Sequence, residues 1–236
     1  MDEGAHHLLR TLQTHTAVAG TVRITASQLV ACVLLPPLLL RLQHTWPDIQ
    51  VELVVSNAIS NLLTREADIA LRMVRPTQAS LVARRIADVP MAVCASQHYL
   101  QQHGAPTQPG DLQHHRLLGF DTSDAIIQGF EAMGHAIRRE HFCLRTDDML
   151  AYWQAVRAGL GIGFVAAYML ASDPEVTPVL PELPLPHLPI WLTVHREIRT
   201  SPRIRAVYDF LAEAVPAELK NAHTALQLRS TPESPR

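Results

Sequence analysis

The chain has 236 residues, 47% hydrophobic and 18% charged, with a formal net charge of -2, enough for one large domain or two small lobes around a sizeable core. A balance this close to neutral, with a pI near 6.7, lacks the basic footprint of a nucleic-acid-binding surface. No apolar run is long enough for a membrane helix, and the acidic, polar start MDEGAHHLLR is no signal peptide, so a cytoplasmic protein with no membrane partner is expected.

Residues 3–16 carry Leu8, Leu9 and Leu12 at helical spacing and read as the end of a helix. After Gly20, Val22 and Ile24 alternate with Arg23 and Thr25 as a strand, and Ser27 is placed to cap the helix that follows. That helix runs from Gln28 to about Thr45, with a kink or fresh start expected near Leu35 because of Pro36 and Pro37. Trp46-Pro47-Asp48 ends it. Ile49–Val55 reads as a buried strand, residues 62–66 as a short helix, and 68–72 as another strand. Residues 82–95 give one or two strands interrupted at Val89-Pro90. This β-α-β-α-β-β order implies a largely parallel sheet covered by helices.

The second half repeats the theme. A helix over residues 97–102 ends at Gly104, and Gly110-Asp111-Leu112 opens a helical turn. Strands are expected over 117–120 and 142–146, with a helix from Asp147 to about Ala158. Gly159, Gly161 and Gly163 punctuate a helix end and a buried strand, where backbones approach closely. Six prolines between 174 and 189 make that segment extended and unsuited to a central strand. A strand over 190–194 precedes a last helix from Ser201-Pro202 through Val215, and residues 220–236 are expected to be disordered.

The chain shows no Gly-x-Ser-x-Gly elbow and no phosphate loop. The Gly159–Phe164 run sits at a helix end, whereas anions favour a helix start. The adjacent pairs His6-His7 and His114-His115 diverge on any regular element and read as solvated. Cys32, Cys94 and Cys143 match no zinc spacing and read as buried thiols. Neither a metal nor a cofactor is expected. Thr146-Asp147-Asp148 stands where a strand hands over to a helix, as Ser27 does in the first half. Each fits a helix cap, and each also fits a ligand site, because ligands gather at the carboxyl ends of strands in open α/β sheets.

Four segments in order resemble the effector-binding domain of LysR-type transcriptional regulators. Gly20–Ser27 looks like its opening strand, and Leu35-Pro36-Pro37-Leu38 with Trp46-Pro47-Asp48 like its first helix and exit. Arg65–Arg72 is similar to its best-marked motif, and Thr146–Met149 with Ala158–Gly163 to its second-lobe helix. The likeness spans roughly residues 8–216. Ala166-Ala167 departs from it, since many members carry a proline shortly after the glycine run. The resemblance implies the two-lobed α/β fold of the type II periplasmic binding proteins, each lobe a mixed, mostly parallel sheet flanked by helices, with two crossover strands joining the lobes. Residues 1–19 would end a linker helix, 20–96 plus 193–216 form lobe I, 97–192 lobe II, and 217–236 a flexible tail.

The resemblance further implies a small effector, often an organic anion, bound between the lobes. It also implies that DNA is read by a winged helix-turn-helix absent from this chain. The expected ligand contacts are Ser27, Gln28, Leu29, Asn57, Ala58 and Arg72 from lobe I, and Phe120, Asp121, Thr146, Asp147 and Phe164 from lobe II. The first helix has two apolar stripes. Leu35, Leu38, Leu39, Leu42 and Trp46 suit the lobe I sheet; Val30, Val33, Pro37 and Leu40 lie opposite. Ala151, Ala155 and Ala158 leave the lobe II helix a smooth outer face. A two-fold homodimer is expected, residues 30–43 of one chain beside 148–158 of the other. The competing readings are a transporter's solute-binding protein, which the absent signal peptide disfavours, and an enzyme on this scaffold, for which no acid/base or nucleophile pair speaks.

Overall fold

The computed structural model describes residues 18–57, 67–197 and 201–230. The expected linker-helix end over 3–16, His6-His7, Ala58, the short helix over 62–66 and residues 231–236 lie outside them. The described residues fall into two compact units, one drawn from those up to Asp88 and within Pro189–Glu218, the other from Val89–Leu188 and those from Leu219 on. The boundaries therefore fall inside two strands and one helix, not at the expected 96/97 and 192/193.

In the first unit β1 (Gly20–Ala26) pairs in parallel with β2 (Ile49–Val55) and with β3 (Ile69–Arg72). The returning strand β9 (His187–His195) runs antiparallel to β3. The alternation of Val22 and Ile24 with Arg23 buries the apolar set completely. β2 is the edge of the sheet. Leu53 and Val55 on it are exposed, so β2 is not the fully buried strand its composition suggested.

The helix after β1 is not uniform. Val30–Leu34 forms a π-helical turn that runs straight into α1 (Leu35–Thr45), and the wide turn is where the helix accommodates the N–H groups that Pro36 and Pro37 lack. Leu35, Leu38 and Leu42 are fully buried, each burial contributing roughly 1.5–3 kcal/mol. Trp46 meets Phe210 edge-on at 5.9 Å, and the Arg41 guanidinium lies over the same ring.

The second unit is built on β4 (Leu81–Ser96), a single 16-residue strand despite Pro90. Pro90 is tolerated because it stands at the end of the ladder with β7 (Gly163–Ala166), where only its carbonyl is used, accepting from the N–H of Ala167. β8 (Val176–Val179) pairs with β4 over residues 93–96. β7 and β8 both reach Val93 and Cys94, so they occupy opposite edges of β4. β5 (Leu117–Gly119) and β6 (Phe142–Arg145) form a separate parallel pair. α2 (Gln97–His103), α3 (Ala125–Ala132), α4 (Met149–Arg157) and α5 (Tyr168–Ala171) complete the unit around a core of Tyr99, Leu112, Leu117, Phe130, Ile162 and Phe164. α3 was not legible in the sequence.

The last helix, α6 (Pro202–Ser230), is 29 residues long and passes through Pro216. Ile204, Val207, Leu211 and Val215 are buried at helical spacing. The expected tail from 217 is therefore helical as far as Ser230.

A 3₁₀ turn over Pro109–His114 follows α2. The Asp111 carboxylate accepts the N–H and hydroxyl of Thr107 and the N–H and amide of Gln108, at 2.9–3.1 Å. These bonds, Thr107's first, pull its pKa from 3.8 down to about 2. Because the folded value is depressed, the stabilisation is present above pH 3.8 and is lost as pH falls through about 2. Asp111→Asn should lower the melting temperature at about pH 5 and match the parent near pH 2. Parallel melting curves at both pH values would remove Asp111 from the acid response.

Candidate functional site

Parallel pairing puts the ends of β1, β2 and β3 at one edge, since Ala26 stands opposite both Val55 and Leu71. Ser27, Asn57 and Arg72 follow or finish these strands, so the structure brings three of the expected residues to the carboxyl edge of one sheet. The N–H of Gln28 at the helix start donates to Asn57 Oδ1 at 3.0 Å. The cap expected from Ser27 thus comes from the neighbouring strand end. The Ser27 carbonyl accepts from the N–H of Ala31 at 2.8 Å, and Leu29 is buried.

Arg72 is 6% exposed. In the ladders Thr25 stands opposite Ala70, Ala70 opposite Thr193, and Arg72 opposite Trp191. Residues opposite one another share a face, and so do residues two apart. Arg72 therefore reaches Thr25, donating to its Oγ1 at 2.8 Å and to the Leu71 carbonyl at 3.0 Å. Burial lowers its pKa, but from so high a starting value that the guanidinium stays charged at neutral pH.

In the second unit the parallel register of β5 and β6, with Gly119 opposite Arg145, puts Phe120 and Thr146 at equivalent strand ends. The N–H of Thr146 donates to the Gly119 carbonyl at 3.1 Å. Sequence left two candidates for the cap of α4, and the structure divides their roles. The Asp148 carboxylate accepts the N–H groups of Leu150 and Ala151 at 2.9 Å. The Asp147 carboxylate turns back to the N–H groups of Asp121 at 3.0 Å and Thr122 at 3.2 Å. Desolvation opposes its ionisation, yet the Thr122 side chain and these N–H groups outweigh it and hold the Asp147 pKa down. Asp147 is thus an anion tied to the loop after β5. Arg139 closes the same loop, donating to the Asp121 carbonyl at 3.0 Å and pairing with Asp124 at 3.3 Å. Sequence reading missed Arg139 and Thr122, because nothing local marks a residue that reaches across a loop.

Phe164 belongs to the core. It is 5% exposed, and its ring meets Phe130 edge-on at 5.8 Å. Its N–H donates to the Tyr152 hydroxyl at 2.9 Å, and that hydroxyl donates to the Leu118 carbonyl at 3.1 Å. Phe120 stacks on Tyr152 at 5.5 Å. Tyr152 therefore positions both phenylalanines.

Of the second apolar stripe, Val30 is fully buried, Val33 half-buried, and Pro37 and Leu40 exposed, Leu40 by 59%. Ala151 and Ala158 are exposed and Ala155 half-buried, while Tyr152, Trp153 and Val156 face inward. Cys32 and Cys143 are exposed, not buried as expected; only Cys94 is buried. Among the described residues no group of three or more His, Cys, Asp or Glu could hold a metal, and no helix is long and apolar enough to cross a membrane.

The profile of the LysR substrate binding domain family matches residues 15–216. The HTH-type transcriptional regulator CrgA of Neisseria meningitidis is 27% identical over 209 residues, 86% of this chain and 69% of that protein. The HTH-type transcriptional activator AaeR of Escherichia coli is 28% identical over 158 residues, 65% of this chain and 50% of that one. The solved regulatory domain of CrgA superposes with a TM-score of 0.73 at 27% identity, covering 84% of this chain and 99% of the domain.

Proposed function

Because the chain belongs to the LysR substrate-binding domain family, as the effector-binding domain of a transcriptional regulator with the periplasmic-binding-protein-like fold, we propose that its effector is a small organic anion taken at the strand ends. Ser27, Gln28, Asn57 and Arg72 are its first contacts; Phe120, Asp121, Thr146 and Asp147 form the corresponding strand-end cluster of the second unit. The observation that carries this reading is the buried, charged Arg72 beside Thr25 at the carboxyl ends of the parallel strands β1 and β3. A fixed positive charge there favours an anion. The anionic Asp147 is held by the N–H groups of its own loop, and a hydroxyl or amine is the group it can read. Effector binding shifts the population of conformations of the intact regulator. DNA is contacted through the part of the regulator that lies outside the matched segment, in the cytoplasm.

Native mass spectrometry of gently purified protein should show a small molecule carried through, and Ser27→Trp should lose it with little change in melting temperature. Equal occupancy in parent and variant would remove Ser27 from the site. Measurable turnover of the retained molecule would instead favour an enzyme.

A further inference from the structure

The second unit contains a pocket of about 590 Å³, within the range of roughly 300–1,000 Å³ that small-molecule sites occupy. Its lining shares no residue with the strand-end clusters around Ser27 and Asp147. Its origin is legible in the ladders. The β4–β8 register pairs Val93 with Val179 and would next pair Met91 with Pro181. That pair is not made: β8 ends at Val179, Pro181 has no N–H to offer, and the chain swings away at Leu180, whose φ of 49° is left-handed. Met91 and Ala92 stay paired with β7 on the other edge. The N–H and carbonyl of successive strand residues point to alternate edges. Since the Pro90 carbonyl serves the β7 side, the N–H and carbonyl of Met91 face the edge that β8 has left.

The pocket occupies that gap. Met91, Val179, Leu180, Leu183 and Leu185 form its apolar wall, and Leu226, beside His223 and Gln227, covers it from the end of α6. This last wall lies beyond residue 216, where the family match stops. The lining includes no Lys or Arg, and Glu182 is its one acidic residue. A carboxylate would therefore meet Glu182 and no lysine or arginine, and a neutral ligand is favoured.

We propose that this pocket is a second ligand site, separate from the strand-end site, and that it takes a neutral apolar secondary amide. The amide N–H and C=O of such a molecule replace the missing strand residue opposite Met91, and its hydrocarbon lies against Leu180, Leu183 and Leu226. Occupancy fixes the end of α6 against β4.

The test uses the whole chain and N-butylbenzamide, with calorimetry and ligand-observed NMR, beside its N-methyl derivative and 4-butylbenzoate. N-butylbenzamide should bind with about millimolar affinity or better. N-methylation, which removes the donor, should weaken binding about tenfold, and the benzoate should bind no better than the methylated amide. Leu226→Glu, near the end of a surface helix, should weaken binding about tenfold with an unchanged melting curve. Met91→Pro removes the pocket-facing N–H and no donor of the β7 ladder, and should act likewise. If Met91→Pro fails to fold, Leu226→Glu and the N-methyl probe decide the matter. Absence of binding at millimolar probe, or equal binding to parent and Leu226→Glu, overturns the proposal. So does binding that Ser27→Trp abolishes and Leu226→Glu spares, which assigns the probe to the strand-end site.

Discussion

Val33→Asp with Leu40→Arg is expected to turn a dimer into a folded monomer. Leu40 is 59% exposed and Val33 half-buried on the outer face of the helix after β1, beside exposed Pro36 and Pro37. An apolar face of this kind on a helix whose opposite face is already buried calls for a partner. The proposed partner is the outer face of α4 in a second copy, where Ala151 and Ala158 are exposed and permit close approach. Under two-fold symmetry each lost contact is lost twice. Removing two burials per chain and adding unpaired charges should weaken association by about a thousandfold or more. The Leu40 change should barely affect the fold, because its side chain is already in water; Asp at Val33 should cost about 1 kcal/mol. Light scattering gives the mass and circular dichroism the fold. A folded dimer would contradict the interface, and a misfolded chain would mean that the stripe is core.

Gly161→Ala is expected to be the most destabilising of the small substitutions in the second unit. A Cβ at Gly161 would stand 2.5 Å from the Arg116 carbonyl oxygen and 3.0 Å from its carbon. These are backbone atoms, and the same carbonyl accepts the N–H of Ile162 at 2.8 Å. The Leu118 N–H in turn donates to the Ile162 carbonyl at 2.9 Å, so β5 cannot retreat without breaking its register. The cost should be about 3 kcal/mol, or roughly 6–12 °C in melting temperature. Gly159→Ala is the useful comparison: Gly159 has a φ of 78° and a side-chain neighbour, Ser96 Oγ at 3.0 Å. Left-handed strain alone costs about 1 kcal/mol, so the two variants should differ by several degrees. Equal melting temperatures would mean that the Arg116 backbone yields.

These two sites show how far sequence carries. The glycine run announced close backbone approach, because only a missing Cβ explains three glycines in an apolar stretch, but not which backbone came close. The alternation in β1, the stop at Trp46-Pro47 and the leucine spacing of α1 are local signals, and they appear in the structure where they were expected. The failures are tertiary. Pro90 suggested an interruption because its ladder position was unknown. Asp147 and Asp148 were indistinguishable as caps until the loop after β5 was placed. Pro216 and the polar residues beyond it gave no reason to extend α6, whose end belongs to the second unit and lines its pocket with Leu226. Val30 was assigned to the outer stripe by a regular 3.6-residue count, and it is buried.

That last discrepancy comes from the wide turn at Val30–Leu34, which holds one residue more than an ordinary helical turn. In genetic terms it is a one-codon insertion. Deleting any single codon inside it would leave a regular helix, because the five residues of the wide turn cover about the same angle as four of an ordinary one. Leu35, Leu38 and Leu42 would therefore stay on the sheet and the outer residues outside. The gain or loss of one codon here is absorbed within the turn, so homologous chains that differ in length at this place can keep the same helix face for a partner.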